Sequence, residues 1–265
     1  MATAHGVQLE GSSDMRSNGA SSGKSGFVDS SSFYDELAEH YDLVAAERRP
    51  YLDTVDRLLR TRWTGVRRML DIGCGDGARV GRLAGALGVE DLWLTDNSAE
   101  MVRRAGQTVP NAEVRQVDVS DNEQCRALEG GFDLVTCLGN IFGHMSAQQR
   151  LEGLRNLRGL LAPDGAIFLD LNNRYNVAQY GVRRVLVNVF ADLVGRGGGD
   201  FHTTRLIDGR AVTTPVHLTH HGEVTELVGA AGLHPRATWF AHYGDGRLVR
   251  TPWRGQIVME LRNAG

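Results

Sequence analysis

Met69-Leu-Asp-Ile-Gly-Cys-Gly-Asp-Gly77 decides how this chain is read. An apolar run over residues 66–72, broken by two arginines, ends in glycines at 73, 75 and 77, and a helix-like segment over 79–87 follows. Glycine lets the backbone turn sharply and come close to a ligand that a Cβ would push away. Such a turn belongs at the carboxyl end of a parallel strand, where doubly wound sheets bind their ligands. The usual dinucleotide fingerprint leaves two residues between its second glycine and its third. Here the third glycine, Gly77, comes one position early, and Ala78 fills the expected slot. The lysine followed by serine or threonine that closes a triphosphate cradle is missing.

Outward from this turn, strands and helices alternate. Residues 91–96 read as a second strand with a helix over 98–105 behind it, and 112–117 as a third ending at Asp118. Residues 132–138 form a fourth strand, apolar enough for a buried position. A helix over 146–161 stops at the turn signal Pro163-Asp-Gly165, and 166–171 is the fifth strand. This spacing predicts a parallel sheet with helices on both faces.

Upstream, Ser32 is placed to cap a helix over 33–44 with Tyr34, Leu37 and Tyr41 on one face, and a second helix runs over 51–62. Downstream the pattern changes. Residues 177–194 look helical and apolar, 195–200 are a glycine-rich break, and 201–218 alternate like a hairpin. A helix over 221–231, capped by Thr219, precedes strands near 237–243 and 255–262. The divisions predicted are a flexible Ser/Gly/Ala-rich tail (1–30), a helical cap (31–64), a ligand-binding core (65–176), an inserted substrate cap (177–216) and a completion of the core sheet (217–265).

The chain has 265 residues, enough for one full α/β domain and a small addition. A net charge of -3 with scattered Arg-Arg pairs argues against a nucleic-acid partner, which would show a basic stripe. Cys74, Cys125 and Cys137 form no short-spaced ligand pair and suggest a reducing compartment. No apolar run reaches bilayer length, so no membrane partner is expected and cytoplasm follows by default. Self-association into a homo-oligomer is left open.

The glycine motif, opened by the acidic Asp71, resembles motif I of the class I S-adenosylmethionine-dependent methyltransferases. The resemblance covers roughly residues 33 to 176 and returns for 217 to 262. It implies a doubly wound, mostly parallel, seven-stranded Rossmann-like sheet with a helix-plus-hairpin insertion as a substrate cap. S-adenosyl-L-methionine is the implied cofactor, S-adenosyl-L-homocysteine its product, and no metal is expected. Asp96, 19 residues after Gly77, can accept both hydroxyls of a ribose lying over the turn of Gly73, Cys74, Gly75 and Gly77; alone it would also serve as a helix cap. By resemblance Asp118 and Val119 meet the adenine, with Leu94, Asn97 and Met101 nearby, and Cys137 and Leu138 close the strand-four side. Met101 is equally suited to packing. Asp71 would organise the loop near the methionine amino group, and Tyr34, Tyr41 and Arg49 resemble the family's amino-terminal cap.

Two further stretches resemble glycine and sarcosine N-methyltransferases. In Cys137-Leu-Gly-Asn-Ile-Phe-Gly-His144, Asn140 matches an asparagine that positions the amino acid acceptor. In Asp170-Leu-Asn-Asn-Arg-Tyr-Asn176, Arg174 and Tyr175 are candidates for holding a carboxylate, although Asn173 stands where the family has histidine. Arg174 can instead pair with Asp170 or a backbone carbonyl as scaffolding. Methyl transfer needs a nucleophile lone pair in line with the methyl-sulfur bond. An oxygen acceptor would also need a base, for which His144 is best placed. His217, His220 and His221 are close in sequence but need not converge on a metal. Trp253, in a long loop between the last strands, would wall the acceptor or pack. The expected function is methylation of a small polar acceptor, an amino acid nitrogen or related amine. The alternatives are an O-methyltransferase with a histidine base, an NAD-dependent oxidoreductase, and a non-catalytic cofactor-binding protein.

Overall fold

In the computed structural model, residues 8–10, 26–41, 46 and 48–264 are described. Two short strands, β1 (Gln8–Glu10) and β2 (Gly26–Phe27), precede helix α1 (Ser30–Leu37). The cap of α1 is Asp29 rather than Ser32: its carboxylate accepts the Ser32 N–H at 2.8 Å. A 3₁₀ turn at Ala38–His40 follows, and the expected continuation over 42–45 lies outside the described residues. Helix α2 (Arg49–Arg62) carries Pro50 in its first turn, where a missing N–H loses no helical bond, and buries Tyr51, Val55 and Leu59 on one stripe.

The core alternates as the periodicity requires: β3 (Arg68–Ile72), α3 (Ala78–Leu87), β4 (Asp91–Asp96), α4 (Ala99–Thr108), β5 (Glu113–Gln116), α5 (Asn122–Arg126), β6 (Phe132–Cys137), α6 (Ala147–Leu160) and β7 (Leu161–Leu171). Strands β5, β4, β3, β6 and β7 are neighbours in that order, all parallel. Alternate residues feed two cores. Leu70, Ile72, Val135 and Ile167 face one side of the sheet, and Met69, Leu134 and Phe168 the other. The turn signal at Pro163-Asp-Gly165 is a bulge inside β7, because Phe132 pairs with Leu161 and Leu134 already with Ala166.

After β7 come α7 (Val177–Tyr180), α8 (Val182–Leu193), β8 (Asp200–Ile207), β9 (Arg210–His217), α9 (His221–Ala230), β10 (Leu233–Ala241), β11 (Leu248–Val249) and β12 (Gln256–Asn263). Strand β12 pairs antiparallel between β7 and β10, giving the returning edge that was expected. The sheet has eight strands, not seven: the long loop after β10 folds back as β11, which pairs through Phe240–Val249 and Ala241–Leu248. It is therefore a mixed sheet with a parallel half and an antiparallel edge. Strands β8 and β9 form the predicted hairpin, but β1 and β2 flank it to make a second sheet of four strands, ordered β1-β8-β9-β2. Within the segment read as a tail, residues 8–10 and 26–27 are thus strands, and the rest before residue 26 lies outside the described residues. The cap of α9 is His220, whose Nδ1 accepts the N–H groups of Gly222 and Glu223 at 3.1 and 3.4 Å, and not Thr219.

Candidate functional site

The three motif glycines all adopt the left-handed conformation, with φ of 69°, 56° and 76°. A Cβ on Gly75 would stand 2.5 Å from the Tyr41 hydroxyl, and one on Gly73 would overlap the Ile141 side chain. Only glycine lets these two residues close onto the turn. Gly77 has another task. It caps α3 and packs against Ala105 of α4, and it stays out of the cavity wall.

Asp96 at the end of β4 binds the turn directly. Its Oδ2 accepts the Gly75 N–H at 2.9 Å and its Oδ1 accepts the Ser98 N–H at 3.0 Å. Helix α4 is capped by Ser98, whose hydroxyl accepts the Met101 N–H at 3.1 Å, so Asp96 is not spent on capping. Burial pushes the Asp96 carboxyl up, against three backbone N–H groups that favour its charge. A carboxylate has about four acceptor positions, and the two hydrogen bonds leave room for a diol. Asp71 lies beneath, its side chain accepting the Thr136 hydroxyl; burial pushes it up to about 6, against the charge of Arg79.

These residues line one cavity of about 930 Å³ along the carboxyl ends of the parallel strands. Of the expected cofactor residues, Tyr34, Tyr41, Arg49, Asp71, Gly73, Cys74, Gly75, Asp96, Asn97, Asp118, Val119 and Leu138 are in its wall. Asp118 accepts both the N–H (2.9 Å) and the hydroxyl (2.7 Å) of Ser120 on one oxygen. Met101, Cys137 and Leu94 are fully buried in the core and do not reach it. Burial drives the Cys74 and Cys137 thiols well up, so neither serves as a thiolate.

Helix α1 lies over the strand ends because Ser31 donates to the Asn97 carbonyl at 3.0 Å and Ser98 donates to Asp35 at 2.5 Å. It brings Tyr34 into the wall. Sequence reasoning missed Arg48, which stands beside Arg49 in the lining. Burial opposes the Arg48 charge, and the oxygens of Tyr243, Tyr34, Tyr41 and Asp170 outweigh that penalty. Its Nε, although buried, has no hydrogen-bond partner among the described residues. The available signal was Pro50, which starts α2 and leaves Arg48 as the residue before the helix.

His144 ends the loop after β6 and faces the same cavity. Its Nδ1 lies 3.3 Å from the Pro215 carbonyl, which can only accept, so Nδ1 carries the proton. Nε2 is then an acceptor, reached by the Tyr34 hydroxyl in a long bond of 3.5 Å. Burial lowers this imidazole to about 4, with the Arg48 charge adding and the Pro215 bond opposing. Asn140 is buried outside the wall, where its Oδ1 accepts the Asn172 N–H at 2.8 Å and shapes the loop.

Arg174, Tyr175 and Trp253 are not in the cavity wall. Arg174 grips Asp192 through Nε and a terminal nitrogen, both at 3.0 Å, and reaches Glu223 at 2.7 Å and the Leu218 carbonyl at 3.0 Å. The scaffolding alternative describes it, with partners other than Asp170. Tyr175 donates to Asp192 at 2.5 Å and stacks between His220 and Trp253, with ring centroids at 4.9 and 5.5 Å. His217 bridges Asp200 and Glu223 at 2.7 and 2.6 Å, while His220 caps α9 and His221 leans on Phe240. Among the described residues no three histidine, cysteine or carboxylate side chains are arranged to hold a metal ion.

A family model described as a methyltransferase domain matches residues 69–165, from the glycine strand to the bulge of β7. A glycine/sarcosine N-methyltransferase from Aphanothece halophytica is 30% identical over 151 residues, which are 56% of this chain and 53% of that protein. The chain spans about half the length of the curated relatives it matches. The CcbJ methyltransferase from Streptomyces caelestis superposes with a TM-score of 0.65 at 17% identity, covering 90% of this chain and all of that one (100%). An S-adenosylmethionine-dependent methyltransferase from Clostridium acetobutylicum gives 0.60 at 15%, covering 88% and 100%. The fold is that of the class I S-adenosylmethionine-dependent methyltransferases.

Proposed function

We propose that the protein transfers a methyl group from S-adenosyl-L-methionine to a small polar acceptor, the nitrogen of an amino acid or a related amine. The observation that carries this reading is Asp96, a buried carboxylate that binds the glycine turn and keeps acceptor positions free beside a cavity of about 930 Å³. The donor set fits the cofactor. Asp96 suits a ribose diol, Asp118 an adenine amino group, and Arg48, with its unsatisfied Nε, a carboxylate. When bound, the sulfonium supplies an activated methyl group for in-line displacement.

The remaining work falls to the acceptor end. Nε2 of His144, held only by the long bond from Tyr34, can accept an N–H in its place and so aim an amine lone pair. An imidazole held near 4 is too weak a base to carry the proton of an alcohol or phenol at neutral pH, which favours nitrogen over oxygen. The likeness to glycine/sarcosine N-methyltransferases supports the same class, although Arg174 is occupied elsewhere and cannot be the carboxylate clamp. The insertion acts as the cap: Pro215 of β9 lines the cavity and holds His144. No described helix is long and apolar enough to cross a membrane. The three free, buried cysteines accord with a cytoplasmic setting, and the net charge with a partner that is not nucleic acid.

The test has two stages. Calorimetry should show binding of S-adenosylhomocysteine and none of NAD. Methyl-labelled S-adenosylmethionine with a fractionated extract should then place label on a small amine or amino acid, identified by mass spectrometry. Label on an oxygen would retain the enzyme and remove the nitrogen assignment, and absence of homocysteine-adduct binding would remove the whole reading.

A further inference from the structure

Asp170 is buried at the end of β7 and lies outside the cavity wall, yet it joins the loop after β6 to the first turn of α2. Its Oδ1 accepts two successive backbone N–H groups, those of Gly139 and Asn140, each at 2.7 Å. Its Oδ2 accepts the Tyr51 hydroxyl, also at 2.7 Å. The first pair opens the loop that carries Ile141 and His144. Tyr51 belongs to the first turn of α2, two residues after Arg49 and three after Arg48.

Each arm is independently fixed. Gly139 and Asn140 have φ of 102° and 63°, and successive N–H groups in such backbone converge on a single anion. Asparagine adopts the left-handed conformation more readily than most other residues with a side chain, and Asn140 is held in it by Asp170 below and by its own bond to Asn172. The Tyr51 ring stacks on Tyr243 with centroids 5.5 Å apart. Burial and the adjacent carboxylate keep its hydroxyl protonated, so it remains a donor.

We infer that Asp170 is a positioning residue that sets Arg48 and His144 relative to each other in the cavity wall, and with them the approach of the acceptor to the methyl group. This rests on the proposed methyl transfer. A mere core anchor would contribute to stability and leave the geometry of the site unchanged.

Full-length wild type, Asp170→Asn and Tyr51→Phe separate these cases. The amide of Asp170→Asn keeps the shape but turns an N–H₂ toward one of the donors. It should speed hydrogen exchange at Gly139 and Asn140, shift the side-chain nitrogen resonances of His144, and weaken S-adenosylhomocysteine about tenfold, with the far-ultraviolet spectrum retained. Tyr51→Phe should weaken the same ligand about threefold to tenfold through Arg48 and leave the two amides protected. A folded Asp170→Asn protein with unshifted His144 signals and unchanged exchange would overturn the inference. If that variant does not fold, unchanged ligand affinity in Tyr51→Phe does so instead. Failure of wild type to bind S-adenosylhomocysteine would defeat the functional reading, while the exchange and resonance measurements would still decide the role of Asp170.

Discussion

The two ends of the cavity are built differently. At the end proposed for the cofactor, side chains sit at consecutive strand ends and bind backbone nearby, as Asp96 binds the N–H groups of Gly75 and Ser98. At the end proposed for the acceptor, the contacts join distant elements: Tyr34 of α1 meets His144, His144 meets Pro215 of the hairpin, and Asp170 ties Tyr51 to Gly139. The first arrangement follows from the parallel sheet itself. The second exists only once the insertion and the amino-terminal helices have docked, so it is the part that mutation should disturb separately.

The largest effect should come at the cofactor end. Asp96→Ala removes the proposed diol acceptor and leaves two buried N–H groups unpaired, at about 1–3 kcal/mol for each. S-adenosylhomocysteine should bind about 1000-fold more weakly by calorimetry. An affinity within threefold of wild type would show that the two ends do not divide as described.

Arg174→Ala tests the other side. It leaves Asp192 with only the Tyr175 hydroxyl and Glu223 with His217, and breaking a buried ion pair by removing one partner costs about 3–5 kcal/mol. Part of Glu223 is solvated, so the lower figure is the expectation, read as a fall in urea midpoint. Cofactor affinity should be nearly unchanged in the protein that remains folded. A selective loss of acceptor affinity at full stability would return Arg174 to the substrate site. Arg48→Ala and Arg49→Ala then sharpen the boundary between the ends. The first should weaken S-adenosylhomocysteine about tenfold or more, because it supplies a partly desolvated cation, and the exposed Arg49 should matter little.

What the sequence made legible follows the same division. The place of Gly73, Gly75, Asp96 and Asp118 in the cavity wall was readable because a parallel sheet places its strand ends in order, and the glycine turn marks one of them. The hairpin over β8 and β9 showed in its alternation. Its flanking strands did not, since β1 and β2 are three and two residues long in a Ser/Gly-rich segment and exist only through nonlocal pairing. Arg48 and Arg49 differ by one position, and which of them turns inward depends on where Pro50 starts the helix. The partners of Arg174, Asp192 and Glu223, come from elements 18 and 49 residues away, a convergence that no local pattern encodes.

The smallest predicted effect concerns pH, and it sets two residues of the site against each other. His144 has a folded value near 4, below the ordinary unfolded value of about 6.5, so the unfolded chain binds the extra proton between them. Its contribution to stability is complete above about 6.5 and is lost as the pH falls toward 4. Asp71 runs the other way. Its folded value of about 6 exceeds the unfolded one of about 3.9, so native Asp71 holds its proton more firmly and its penalty grows as the pH rises through that window. The two slopes oppose each other between about pH 4 and 6, and wild type should show a shallow dependence there. His144→Gln should leave the Asp71 slope exposed, so that stability relative to wild type improves toward acid pH. Asp71→Asn should do the reverse, with acid destabilisation now governed by His144. Urea midpoints measured for the three proteins across this window check the signs. Parallel curves for His144→Gln and wild type would mean that the His144 ring takes up its proton freely, and the argument for a nitrogen acceptor would lose its support.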